Sequence, residues 1–144
     1  MKRLLIIMVG LALVASLAAA GSAATAKAPK SAKVLIRHQM RGCHTWSVSG
    51  GAFGATQSTR LARGGTIMFV DNDVMPHKLV KTNGPAIRFV GKPAMNHMGA
   101  SVKVVFSKAG VYHFTTKAGE DYAYMKGMKT IGEDNVLRLT VTVS

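Results

Sequence analysis

Short β-favouring runs, each closed by a turn, recur along this chain, and no long stretch of it shows helical periodicity. β-Branched and aromatic residues suit a pleated, half-buried surface. They concentrate in residues 33–38 (KVLIRH), 45–48 (TWSV), 66–70 (TIMFV), 78–81 (KLVK), 101–106 (SVKVVF), 111–116 (VYHFTT) and 136–143 (VLRLTVTV). A polar stretch, 57–61 (QSTRL), suits an exposed strand. Turn residues separate the runs: Arg41-Gly42, Arg63-Gly64-Gly65, Asn83-Gly84-Pro85 and Lys108-Ala109-Gly110. About seven strands with turns roughly every 8–12 residues predict an all-β, Greek-key β-sandwich. The tight turn at Lys108-Ala109-Gly110 predicts that 101–106 and 111–116 pair as a hairpin.

The start of the chain is different. Met1-Lys2-Arg3 is basic, residues 4–20 are apolar or small, and small residues continue to Ala26. That order is the pattern of a secretory signal peptide, with cleavage after Ala20, Ala24 or Ala26. The expected organisation is a signal peptide over 1–26, a basic flexible leader over 27–33 (KAPKSAK), and one domain over 34–144. No second apolar run is long enough to span a bilayer, so after cleavage only surface charge is expected to touch a membrane. The expected location is secreted, periplasmic or another extracytoplasmic layer of the envelope.

Charge narrows the partners. The chain carries 19 Lys and Arg against 6 Asp and Glu, a net +13; without Lys2 and Arg3 the balance is 17 against 6, or +11. Outside the cell, nucleic acid is not the expected partner, whereas an acidic protein is. The one cysteine, Cys43, excludes an internal disulfide framework. An exported lone thiol is exposed to oxidation, so it is either buried and inert or a metal thiolate.

Metal-ligand side chains are clustered. His38, Met40, Cys43 and His44 crowd into seven residues; Met75 and His77 flank Pro76; Met95, His97 and Met98 form a third group, Met125 and Met128 a fourth. Imidazole, thiolate and thioether suit copper, and the carboxylates that hard ions need are sparse. If strands alternate up and down, the turns alternate between two ends. Residues 39–44, 71–77, 95–98 and 117–134 then fall at one end, and turns 63–65, 83–85 and 108–110 at the other. The ligand clusters all land at the first end. His113 lies inside a strand and is not expected to be a ligand.

The segment Gly65-Thr66-Ile67-Met68-Phe69-Val70-Asp71-Asn72-Asp73, followed by Met75-Pro76-His77, resembles the cupredoxins, whose first copper-binding His follows such a strand and turn. Lys108-Ala109-Gly110-Val111-Tyr112-His113-Phe114 resembles the strand leading into that family's remaining ligands, and the likeness spans about 34–143. The resemblance implies that His77 is an imidazole ligand held by its Pro neighbour. It also implies a thiolate where this chain has Thr116, and no His stands in 117–125. Met125 or Met128 fits the weak axial position. Either copper has been lost, or thiolate and second imidazole come from the first loop, as Cys43 with His38 or His44.

The functional expectation is a monomeric, exported protein that binds one copper ion through His77, Cys43, His38, His44 and Met125. Its expected use is one-electron transfer with a redox partner protein, an acidic one by charge. Copper carriage or sequestration, and a metal-free interaction sandwich, are the alternatives. No Ser-His-Asp order, carboxylate pair or phosphate loop points to an enzyme.

Overall fold

In the computed structural model, residues 27–38, 44–118 and 136–144 are described. They form ten strands: β1 (Ser31–His38), β2 (His44–Val48), β3 (Thr56–Leu61), β4 (Thr66–Asn72), β5 (His77–Asn83), β6 (Arg88–Val90), β7 (Ala94–Met95), β8 (Ser101–Val105), β9 (Gly110–Ala118) and β10 (Arg138–Val143). The strands make two five-stranded sheets, ordered β2-β1-β4-β8-β6 and β3-β10-β9-β5-β7. The protein is therefore the all-β sandwich the sequence predicts, with more strands than about seven. The additions include two short pieces, β6 and β7, within a stretch too rich in Gly and Pro to read as strands.

Period-two alternation places the core. In β4, Ile67, Phe69 and Asp71 face inward and are buried, while Thr66, Met68 and Val70 are half-buried. In β10, Leu139, Val141 and Val143 are buried. Opposing aromatic rings join the sheets: Phe69 and Phe114 lie 5.6 Å apart between centroids, and Phe106 meets Tyr112 edge-on at 5.0 Å. Trp46 is fully buried, its indole N–H donating to the Ala55 carbonyl at 3.1 Å.

Two expectations are corrected. β8 and β9 form no hairpin: β8 pairs with β4 and β6, and β9 with β10 and β5. The chain crosses between sheets at Phe106, which is buried and bonded by backbone to Gly64 and Gly65. A hairpin would have set Val102, Val104, Tyr112 and Phe114 on one face of one sheet; crossing lets them meet across the interface. The basic leader also ends earlier than Lys33, because Ser31, Ala32 and Lys33 belong to β1. β1 runs parallel to β4 from the Ser31↔Thr66 pair, and the Pro29 and Lys30 carbonyls accept from Ala62 and Thr66.

The register gives the sandwich two chemically distinct ends. One gathers the end of β1, the start of β2, the β4–β5 turn and the residues after β7. The other gathers residues 49–51, 62–65, 84–87 and 106–110. Among the described residues no helix is long and apolar enough to cross a membrane.

Candidate metal centre

The last residue of β1 and the first of β2 stand opposite each other: His38 and His44 are cross-strand partners. Such partners share a face, with Cβ atoms about 5 Å apart. Their rings lie edge to face with centroids 6.3 Å apart. β4 lies on the other side of β1, in parallel register through Arg37↔Asn72. The residue after that pair, Asp73, therefore reaches the same end.

Two side chains fold the β4–β5 turn. The Asp71 carboxylate accepts from the Asp73 N–H at 2.9 Å, and the Asp73 carboxylate accepts from the Met75 N–H at 3.0 Å. These are i→i+2 bonds of the Asx-turn kind. Pro76 follows, and β5 begins at His77, which pairs with Met95 of β7 and Ala118 of β9.

Asp73 is the hub. His44 Nδ1 lies 2.9 Å from Asp73 Oδ2, His77 Nε2 3.3 Å from the same oxygen, and His38 Nδ1 3.6 Å from Oδ1. The His44 and His77 rings meet edge-on, 4.6 Å between centroids. His77, His44 and Asp73 are buried, whereas the His38 side chain is 42% exposed and opens the cluster to solvent. On its far side, His77 Nδ1 lies 3.2 Å from Thr116 Oγ1.

Electrostatics divide the two acids. Burial pushes the Asp73 carboxyl up, but hydrogen bonds from His44, His77 and the Met75 N–H outweigh it and hold the group well below the usual carboxylate range. Asp71 is raised, mainly by burial, despite the Asp73 N–H and the nearby His77. Its Oδ2 has no hydrogen-bond partner among the described residues.

Of the five residues singled out by sequence, the structure brings His38, His44 and His77 together; Cys43 and Met125 lie outside the described residues. His97 is exposed and directs Nδ1 to the Met98 carbonyl at 3.1 Å. His113 is also exposed, with its Nδ1 3.4 Å from Thr140 Oγ1. Asp73 escaped the sequence reading, which took Asp71-Asn72-Asp73 as a strand end. A signal was present: Ile67, Phe69 and Asp71 share the inward parity of β4, and Asp73 continues it.

Two imidazoles and a carboxylate, with donor atoms all within 4.8 Å of one another, are chemically fit to hold a borderline divalent ion. His38, His44 and Asp73 make that group, a candidate metal centre at one end of an all-β sandwich. Solved structures similar to the chain are cupredoxins. A purple cupredoxin from Nitrosopumilus maritimus has 20% identity and TM-score 0.44, covering 78% of this chain and 98% of that one. Amicyanin from Paracoccus versutus has 18% identity and TM-score 0.42, covering 78% and 81%. At these identities and scores, the likeness says nothing about what this chain binds. No protein-family profile and no curated protein matches the chain.

Proposed function

We propose that this chain is an exported copper-binding protein that holds one ion at the histidine end of its sandwich and acts by binding rather than by catalysis. The observation that carries this reading is convergence: two imidazoles flanking one turn, His38 and His44, meet a carboxylate 29 residues beyond His44 in one cluster. Imidazole suits copper, and strand ends within a packed sandwich restrict how far the donors can move. Export rests on the basic, apolar and small-residue order of residues 1–26, with the working domain after it.

Two uses of the ion follow from different residues. One-electron transfer requires a thiolate to bring the site toward electron-transfer copper, and Cys43, next to His44, is the sole thiol. The net +11 then suits an acidic redox partner. Carriage requires only an ion that can be reached, and the 42% exposure of the His38 side chain supports that use.

Metal-stripped protein titrated with copper, then freed of excess and analysed for metal, tests the binding. One ion per chain is expected, and a chain that retains none sinks the proposal. The visible spectrum separates the uses. Intense thiolate-to-copper absorption that disappears in Cys43→Ser marks electron transfer, and a weakly coloured complex that yields copper to a chelator marks carriage.

A further inference from the structure

His77 follows the turn most suggestive of a ligand, yet both its ring nitrogens are engaged within the protein. Nε2 faces Asp73 Oδ2 at 3.3 Å, and Nδ1 faces Thr116 Oγ1 at 3.2 Å. A hydroxyl that donates to Nδ1 leaves the proton on Nε2, where it serves the carboxylate. Carboxylates that bind metals are commonly held in place by such an outer donor. His44 Nδ1 shares Asp73 Oδ2 with His77 Nε2, but the group whose donor atoms all lie within 4.8 Å of one another among the described residues is His38, His44 and Asp73.

Resting on the reading that a metal binds at this end, we infer that His38, His44 and Asp73 are its ligands among the described residues and that they take a divalent ion, Cu2+ or Zn2+. His77 is then a positioning residue that orients Asp73.

Dimensions agree with this assignment. Two donors bound to one such ion stand at most about 4 Å apart. His44 and Asp73 are 2.9 Å apart, His38 and Asp73 3.6 Å, and the whole set lies within 4.8 Å. The remainder requires the partly exposed His38 side chain to rotate as the ion binds. Nitrogen and oxygen donors favour the divalent ion over Cu(I), which prefers sulfur. With three ligands among the described residues and an exposed His38, a further coordination position is open to water or to another ligand.

The test titrates the metal-free full chain with Cu2+ and with Zn2+ by calorimetry and counts coupled nitrogens by paramagnetic resonance of the copper form. Wild type should bind both ions and show two nitrogens. His38→Ala, an exposed position whose loss leaves the fold intact, should show one nitrogen. Its affinity should fall by more than the roughly 10- to 100-fold that losing an outer partner costs. His77→Gln should keep two nitrogens while affinity falls about tenfold.

Unchanged affinity and nitrogen count in His38→Ala overturn the ligand assignment while leaving copper binding itself standing. A nitrogen lost in His77→Gln, or tighter binding of Cu(I) than of Cu2+, also overturns it. A wild type that binds no metal removes both this inference and the proposed function.

Discussion

The two ends of the sandwich are held by different kinds of bond. At the end holding residues 62–65, backbone pairs with backbone: Ala62 donates to Pro29, Arg63 to Ser144, Gly64 to Phe106 and Thr66 to Lys30. The Tyr112 hydroxyl completes the corner by donating to the Lys108 carbonyl at 2.6 Å. At the histidine end, buried side chains carry much of the bonding, centred on the Asp73 carboxylate. Backbone groups must be paired wherever they are buried, so the first end serves folding. Burying a carboxylate and two imidazoles is costly unless all are satisfied, and an apolar plug would close a sandwich with less risk. That contrast is what makes the histidine end the candidate site.

Four substitutions sharpen or break the contrast. The largest effect is expected at the backbone-bonded end, in Gly84→Ala. Gly84 has φ +103, and a Cβ there would meet the Val111 carbonyl oxygen at 2.5 Å and Tyr112 Cα at 2.8 Å. Strain and overpacking together predict a loss of about 4 kcal/mol in urea unfolding, with metal affinity of the folded fraction unchanged. A loss under about 1 kcal/mol would mean that the turn yields easily.

Asp73→Ala comes next, removing the carboxylate that faces the buried ring nitrogens of His44 and His77 and accepts from the half-buried Met75 N–H. About 3 kcal/mol of metal-free stability should go with it. The acid limb follows with a definite sign. A carboxyl held below its ordinary value contributes stability above the unfolded-state pKa, near pH 4, and loses it as pH falls through the lower folded value. Stability curves of wild type and Asp73→Ala should therefore converge in strong acid. Parallel curves down to the acid transition would show that Asp73 is not the hub.

Tyr112→Phe removes one hydroxyl and leaves the Lys108 carbonyl to water, so thermal unfolding should register about 1 kcal/mol. The smallest stability change is expected for His38→Ala. Metal-free stability should stay within about 0.5 kcal/mol of wild type, while the stabilisation that added copper confers on wild type disappears. A variant still stabilised by copper to the wild-type extent would place the ion elsewhere.

Strand runs were legible because alternation and turn chemistry are local. β4 reads directly as TIMFV, and Gly64-Gly65 as the turn before it. The hairpin expectation for residues 101–116 failed because a short link of Ser, Lys, Ala and Gly fits a hairpin or a crossing equally well. The burial of Phe106 decided it. β7 was hidden because Ala94 and Met95 become a strand only by pairing with Lys78 and His77.

The site divides in the same way. By itself the sequence placed His38 and His44 beside one turn and His77 after another at the same end of the sandwich, where the described residues have them; its sulfur ligands Cys43 and Met125 lie outside the described residues. It did not determine which groups touch. Only the tertiary structure set His38 opposite His44, carried Asp73 beside both across the parallel β1–β4 register, and turned His77 Nδ1 toward Thr116. The physical reason is range: turn propensity acts over a few residues, whereas contacts between residues 29 and 39 positions apart exist only once the sheets have packed.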